Sequence, residues 1–441
     1  MIRIGFVQPS SDYLYDPFRG DPHTHFYILT ILEDRLGDKI EVHLIDLRGI
    51  KKEFALYHIP ECDIYLHSVY TLDYAEQISI VKNLRLKYPK AIHIAGGPHI
   101  ISFLEENLKI FDALIIGEGE EIIVQAINDF IDGSLKIKYQ QEGIIDINLY
   151  PYSQRKYLPK NSIARSNLLT LKNKPGSENK LATTAIFSRG CPYRCSFCAL
   201  NFARETSPGI RYRNPNIIEQ EIEYLKREYG IDGLSLLDEI GIPLNEQAAT
   251  IYLETIARTG IIWRGQCRVD GINHKLAKLA RESGCIAMGL GVESINQLSL
   301  NLINKKIDIN QAKETIQILQ SNDIEARLYM IIGLPGEPED IIEKTWSFIV
   351  ETSPSIVYLS LFTVRPGTEV YTHPEKFGIK TIKTDWQKTM HMYSRFGDEQ
   401  PTLTFEYESE TLWGRGMSPE KIVANYLELQ KRLKEYNLCS L

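Results

Sequence analysis

The sequence has 441 residues, of which 43% are hydrophobic and 24% are charged. This composition is typical of ordinary globular proteins, and the length allows roughly three domains or fewer. The formal net charge of −7 argues against nucleic acid as a partner, because phosphate binding requires concentrated positive charge.

The chain shows no signal for membrane insertion or secretion. No apolar run reaches the ~18–20 residues that a membrane span requires, and the first residues lack the order of a signal peptide. Seven cysteines, an odd number with three of them clustered, indicate a reducing compartment. We therefore expect a cytoplasmic protein.

Residues 1–135 alternate short apolar runs with amphipathic stretches. Strands are predicted over residues 2–7, 40–45, 64–67, 91–95 and 113–116, and helices over 25–36, 74–88, 99–109 and 120–130. This alternation predicts an α/β domain with a parallel, doubly wound, Rossmann-like sheet. Ligands of such sheets bind beyond the carboxyl ends of the strands.

The loops at those strand ends contain glycines, which permit sharp turns and close approach to a ligand. The stretches Ile94-Ala95-Gly96-Gly97-Pro98-His99 and Asp112-Ala113-Leu114-Ile115-Ile116-Gly117-Glu118-Gly119-Glu120 together resemble the cobalamin-binding type of this domain. The resemblance implies cobalamin contacts at Ser68, Gly96, Gly97, Gly117 and Glu118. The chain lacks the Asp-x-His-x-x-Gly motif whose histidine binds cobalt in many cobalamin proteins, so a vestigial or substrate-binding version of the domain is the alternative.

Residues 136–180 are polar and rich in lysine and predict a linker. Residues 181–371 repeat a strand–helix unit, with strands predicted over 184–187, 233–237, 262–267, 287–291, 327–332 and 357–362. Six such units predict a partial (β/α)6 barrel, whose sites lie at the carboxyl ends of the strands. Residues 372–441 predict a small α-rich C-terminal cap, with a helix over 419–436 that Ser418 caps.

Three cysteines, Cys191, Cys195 and Cys198, follow the first barrel strand with the spacing Cys-x3-Cys-x2-Cys. A disulfide would leave the third thiol alone, and a structural zinc site normally has four ligands. Cysteine thiolates also bind iron–sulfur clusters, and three of them would leave one iron open for chemistry.

This spacing, with Phe197 before the last cysteine, resembles the signature of the radical S-adenosylmethionine (SAM) superfamily. The resemblance implies that the three cysteines bind a 4Fe-4S cluster and that SAM is cleaved to a 5′-deoxyadenosyl radical, which abstracts hydrogen from a small-molecule or natural-product substrate. It also implies an electron donor such as flavodoxin or ferredoxin. The SAM contacts that it implies are Phe197, Asp238, Glu239, Arg268, Glu293, Ser294, Gly333 and Pro335.

The two resemblances together indicate a radical SAM enzyme of the cobalamin-dependent type. The expected reaction is methyl transfer to an unactivated carbon. Radical cyclisation, rearrangement or oxidation without methyl transfer is the alternative, and a non-catalytic iron–sulfur protein is a minor one.

Overall fold

The computed structural model describes residues 1–172, 174, 176–200, 209–390 and 401–439. The chain divides into two compact units, with a boundary between Ser162 and Ile163. Part of the predicted C-terminal cap, residues 391–400 and 440–441, lies outside the described residues.

The first unit is an α/β sandwich around one parallel sheet, as the sequence predicts. Its strands are β1 (Ile2–Gln8), β2 (Ile40–Asp46), β3 (Ile64–Ser68), β4 (Ile92–Gly96), β5 (Ala113–Ile116) and β6 (Lys138–Gln140). Its helices are α1 (His23–Leu36), α2 (Tyr74–Lys87), α3 (Pro98–Ser102), α4 (Leu104–Asn107) and α5 (Glu120–Ile131). The strand order is β2-β1-β3-β4-β5-β6, and all neighbours are parallel.

Both faces of this sheet are covered, which explains why its strands read as apolar runs rather than as alternating ones. Leu66 of β3 packs on one face in the cluster that holds Leu29 of α1 and Ile127 of α5. Tyr65, its neighbour in β3, packs on the opposite face with Ile80 of α2. The strand order reverses between β1 and β3, which is the point where ligands bind in doubly wound sheets.

The short strand β6 extends the first sheet although its residues lie in the stretch predicted as a linker. It has three residues, and only the central one, Tyr139, is buried. A three-residue segment with one buried side chain carries no readable alternation, so the sequence did not reveal it.

The second unit contains the half-barrel that the strand–helix repeats predict. Six parallel strands, in the order β14-β13-β12-β11-β10-β7, form one curled sheet. These strands are β7 (Ala182–Ala185), β10 (Gly233–Leu236), β11 (Ile262–Cys267), β12 (Cys285–Glu293), β13 (Glu325–Ile332) and β14 (Ile356–Leu361). The helices are α6 (Lys160–Ile163), which spans the boundary, then α7 (Pro215–Tyr229), α8 (Glu246–Thr259), α9 (His274–Glu282), α10 (Gln297–Leu302), α11 (Ile309–Ser321) and α12 (Ile341–Thr352).

An antiparallel strand pair, β8 (Ser188–Gly190) with β9 (Ile210–Tyr212), stands beside the half-barrel sheet. The cysteine segment lies between these two strands in sequence. After β14 the chain forms α13 (Glu369–Thr372), β15 (Ile379–Ile382), α14 (Trp386–Thr389), β16 (Phe405–Tyr407), β17 (Glu410–Thr411), β18 (Gly414–Arg415) and α15 (Pro419–Glu435). The Ser418 side chain accepts from the Lys421 N–H and caps α15 as predicted.

Within the described ranges, no helix is both long and apolar enough to cross a membrane.

Candidate active site

The three clustered cysteines follow β8, on the side of the half-barrel where β7 ends. Cys195 is buried, and Cys191 and Cys198 are partly exposed; all three are free thiols. Burial raises the pKa of Cys191 above its ordinary value and the pKa of Cys198 to about 11. Each of these two thiols also interacts electrostatically with Cys195. The three sulfurs therefore form one group in poorly solvated surroundings.

The donor set fits an iron–sulfur cluster. Soft thiolate ligands select such clusters or zinc. Among the described residues, no three cysteine, histidine or carboxylate side chains converge on the position of a single metal ion. A four-iron cluster places its thiolates on different irons, so its ligands stand farther apart than those of one ion.

The segment that carries the cysteines is fixed by contacts to distant parts of the second unit. The backbone N–H of Ser196 donates to the carbonyl of Ile303 at 2.8 Å. The Ser196 hydroxyl donates to Oε2 of Glu369, also at 2.8 Å. Nδ2 of Asn304 donates to the carbonyl of Arg194 at 2.6 Å. These contacts hold the cysteine segment from two sides.

Arg268, a predicted SAM contact just after β11, lies against the same segment. Its guanidinium forms an ion pair with Asp270, with N–O distances of 2.8 and 3.0 Å, and stacks on the Tyr193 ring at 3.5 Å from the centroid. Nη2 donates to the carbonyl of Lys305 at 2.9 Å, and Nη1 lies 4.0 Å from Sγ of Cys195. The described contacts thus tie Arg268 to the cysteine segment.

The two predicted acidic residues after β10, Asp238 and Glu239, lie in different environments. Asp238 is 2% exposed, and its Oδ1 accepts from the Phe187 N–H and the Ser188 hydroxyl. Its Oδ2 is buried with no hydrogen-bond partner among the described residues, and burial raises its pKa to about 7. Glu239 retains exposed surface, yet burial raises its pKa as well, and its charge acts on Cys191 and Cys198. Glu239 therefore lies within electrostatic reach of two of the three thiols.

Glu293, at the end of β12, is held in a buried ion pair. Nζ of Lys305 lies 2.7 Å from Oε1 of Glu293. The Lys305 side chain is 7% exposed and the Glu293 side chain is 12% exposed. Glu293 has a φ of +67°, which is rare for a residue with a side chain and costly unless its surroundings enforce it. A Cβ at Gly291 would lie 2.7 Å from the Glu293 carboxylate and 3.0 Å from Lys305 Nζ, so a larger residue there would have to displace the ends of the two paired side chains.

Ser294 and Gly333 meet through a carboxylate at the ends of β12 and β13. Glu337 accepts from the Gly333 N–H at 2.7 Å and from the Ser294 hydroxyl at 3.5 Å. Burial outweighs these hydrogen bonds and raises the pKa of Glu337 to about 8. The carbonyl of Gly333 accepts a further hydrogen bond, from the Tyr407 hydroxyl at 2.8 Å. Pro335 is buried in this turn.

The predicted residues of the first unit lie at the carboxyl edge of its sheet. Ser68 ends β3 and is in register with Gly96 of β4. Gly97 has a φ of +103°, and a Cβ there would lie 2.9 Å from the backbone N and O of Val69. A Cβ at Gly117, which has the same φ, would collide with the Gln141 side chain, and Gln141 also accepts from the Glu118 N–H. Packing within the unit already requires these glycines, and their contact with cobalamin stays a prediction.

Comparison with known proteins identifies the half-barrel. Residues 185–349 match the model of the Radical SAM superfamily. The chain carries a radical SAM domain. Such a domain implies a 4Fe-4S cluster and SAM as its cofactors.

Relatives extend over both units. The chain is 31% identical over 214 residues to an anaerobic magnesium-protoporphyrin IX monomethyl ester cyclase of Rubrivivax gelatinosus, covering 48% of this chain and 37% of the relative. It is 23% identical over 413 residues to a bacteriochlorophyllide d C-12(1)-methyltransferase of Chlorobaculum tepidum, covering 92% and 79%. Across the first curated relatives, the chain spans about half of their length.

The fold resembles that of the radical SAM methyltransferase TsrM from Kitasatospora setae, whose structure holds cobalamin and a [4Fe-4S] cluster. The TM-score is 0.63 at 15% identity, and the match covers 83% of this chain and 76% of TsrM. At this identity the likeness concerns the fold, and it includes a doubly wound unit ahead of the radical SAM domain.

Several residues at the mouth of the radical SAM domain were not predicted as site residues. They are Tyr193, Ser196, Asp270, Lys305, Glu337, Glu369 and Tyr407. Glu337 lies in the turn that contains Gly333 and Pro335, and Asp270 is two residues after Arg268, so proximity to predicted residues was a usable signal for both. Lys305 and Glu369 join the site only through tertiary contacts, which the sequence pattern does not record.

Proposed function

We propose that this chain is a cobalamin-dependent radical SAM methyltransferase that acts on an unactivated carbon of a small-molecule or natural-product substrate. The observation that carries the proposal is the placement of three thiols at the carboxyl mouth of a radical SAM half-barrel. The doubly wound unit ahead of it supports the cobalamin part.

In this proposal Cys191, Cys195 and Cys198 hold the cluster. When bound, the cluster and SAM supply a 5′-deoxyadenosyl radical for hydrogen abstraction, and methylcobalamin supplies the methyl group. Glu239 lies within electrostatic reach of Cys191 and Cys198 and would offer a carboxylate to the amino group of SAM, which is a charge-assisted contact. Phe197, Asp238, Arg268, Glu293, Ser294, Gly333 and Pro335 complete the predicted SAM surroundings.

The first unit would hold cobalamin at the carboxyl edge of its sheet. Ser68, Gly96, Gly97, Gly117 and Glu118 surround that edge, where doubly wound sheets bind ligands. The bacteriochlorophyllide relative is named a methyltransferase and aligns with 92% of this chain, which supports methyl transfer. We further propose a cytoplasmic enzyme that receives electrons from a flavodoxin or ferredoxin.

The test is an anaerobic reconstitution with iron, sulfide and hydroxocobalamin, followed by removal of unbound corrinoid. We expect about one corrinoid and four irons per chain, with reductant-dependent formation of 5′-deoxyadenosine from SAM. Cys198→Ala should lose iron and SAM cleavage, whereas Cys439→Ala, a cysteine in the C-terminal segment, should retain both. Equal iron content in the two variants would refute the assignment of the cluster ligands.

Radical cyclisation is the second candidate, because the 31%-identical relative is named a cyclase. The reconstitution can exclude one of the two functions. Cluster binding and SAM cleavage without retained corrinoid would exclude methyl transfer from cobalamin and favour cyclisation, rearrangement or oxidation.

A further inference from the structure

We infer that Arg268 is a positioning residue that orients Cys195 and, through its positive charge, raises the reduction potential of the cluster that the cysteines hold. The inference rests on the proposed function only for the presence of the cluster. It goes beyond the predicted role of Arg268 as a SAM contact, since it assigns the guanidinium to the thiolate side of the site.

Arg268 is buried, and close contacts compensate its charge. A guanidinium that is 5% exposed loses its hydration and requires close compensation. The described contacts supply it: the fork pairs with Asp270, the plane covers Tyr193, and Nη2 donates to the carbonyls of Lys305 and Lys306 at 2.9 and 3.3 Å.

Three of these partners, Tyr193, Lys305 and Lys306, lie in or next to the cysteine segment or in the loop that supports it. Tyr193 lies between Cys191 and Cys195 in sequence, and the carbonyls of Lys305 and Lys306 follow Asn304, which donates to Arg194. Arg268 therefore crosslinks the end of β11, the loop after α10 and the cysteine segment. Lysine has a single ammonium group and no planar fork, so it cannot make this set of contacts.

The remaining nitrogen of Arg268 faces a proposed cluster ligand. Nη1 lies 4.0 Å from Sγ of Cys195, which is 7% exposed, and the two groups interact electrostatically. Charges at this separation interact far more strongly in a poorly solvated site than in bulk water. Net charge and hydrogen bonds at the sulfurs set the potential of iron–sulfur clusters.

The charge that the cluster gains on reduction decides the direction in which Arg268 shifts the reduction potential. One electron passes from an external low-potential donor to the oxidised cluster, no bond breaks, and the cluster gains one negative charge. A fixed positive charge beside Cys195 stabilises the reduced form more than the oxidised form. Asp270 partly neutralises Arg268 and acts in the opposite direction.

The experiment is an anaerobic redox titration of the reconstituted protein with dithionite, monitored by electron paramagnetic resonance. For Arg268→Gln we expect the equilibrium constant of reduction to fall about tenfold, a midpoint potential ~59 mV more negative for a one-electron couple. For Asp270→Asn we expect a shift to a more positive potential. Opposite signs are the signature of the charge, because simple damage to the loop would not distinguish the two variants.

Arg327→Gln is the matched control. Arg327 is likewise buried, is paired with Glu325 at 3.1 Å and donates to the carbonyl of Thr170, but no described contact links it to the cysteines. Its variant should keep the wild-type potential. If Arg268→Gln does not retain iron, Asp270→Asn and Arg268→Lys carry the test, the latter with a smaller negative shift.

Unchanged potentials in iron-replete Arg268→Gln and Asp270→Asn, or shifts of the same sign, would overturn the inference and leave the proposed function intact. A wild-type protein that takes up no iron–sulfur cluster would instead refute the proposed function.

Discussion

Loss of the Lys305 ammonium should destabilise the second unit strongly, even without any cofactor. Lys305→Met keeps the length and the apolar stem of the side chain but leaves the Glu293 carboxylate, 12% exposed, without its cation. Removing one partner of a buried ion pair typically costs about 3–5 kcal/mol, because the other charge stays buried and unpaired.

The conformation of Glu293 places the expected loss at the lower end of that range. Its left-handed backbone, with a φ of +67°, stores strain of order 1–3 kcal/mol that the surrounding contacts maintain. Once the ion pair is gone, the residue can relax and recover part of this strain. We therefore expect the free energy of unfolding to fall by about 3 kcal/mol.

Urea denaturation followed by tryptophan fluorescence is the assay. All four tryptophans, at positions 263, 346, 386 and 413, lie in the second unit, so the signal reports that unit alone. Lys313→Met is the matched control, since Lys313 pairs with Glu351 at 2.6 Å on the surface, where the side chains are 32% and 59% exposed. Exposed pairs contribute at most about 1 kcal/mol.

If Lys305→Met lowered the free energy of unfolding no more than Lys313→Met does, the buried ion pair would not be the source of the stability. A second check is the double variant Glu293→Gln with Lys305→Met, which no longer buries an unpaired charge. It should regain most of the lost stability, and a double variant as unstable as Lys305→Met would show that the cost comes from packing instead of charge.

Three further perturbations follow from the structure. The pKa of Glu337 is about 8 in the folded chain, above its unfolded value of about 4.3. The stability that its tighter proton binding contributes is therefore complete below its unfolded pKa and is lost as the pH rises toward 8. Glu337→Gln should flatten this loss, which amounts to at most about 1.4 kcal/mol per pH unit in urea titrations. Tyr407→Phe removes the hydroxyl that donates to Gly333 and should cost about 1 kcal/mol in the same assay, whereas an unchanged midpoint would contradict the bond. Gly97→Ala should destabilise the first unit by more than 1 kcal/mol, measured by circular dichroism, because its Cβ meets backbone at 2.9 Å. Gly133→Ala, with a φ of +73° but open space around it, should cost less.

The sequence predicted the regular elements well because their signals are local. The strand over 262–267 agrees with β11 to the residue, and the other predicted barrel strands deviate by about two residues or fewer at each end. The predicted helix over 99–109 instead divides into α3 and α4, since Phe103 leaves the helical region with a φ of −132° and a ψ of 52°. Phe103 contacts the His99 ring, and no glycine or proline marks the break.

The candidate site was predictable where its chemistry is written in a short motif. The spacing of Cys191, Cys195 and Cys198 requires no knowledge of the fold. The partners of Glu293 and Ser196 could not be predicted from the sequence. Lys305 lies twelve residues after Glu293 and Glu369 lies 173 residues after Ser196, and only the folded half-barrel brings each pair together. Sequence patterns reveal which strand ends carry polar groups, and tertiary structure decides which groups meet.

The hydrogen bond between Ser196 and Glu369 bears on the order in which the cysteine segment gains its supports during synthesis. The cysteine segment receives one of its supports from a residue that the ribosome adds 173 residues later. A nascent chain that has exposed its cysteines but not yet Glu369 has an incompletely braced segment. Any metal group destined for this segment therefore meets the complete set of supports only after the last strand of the half-barrel and Glu369 have been synthesised.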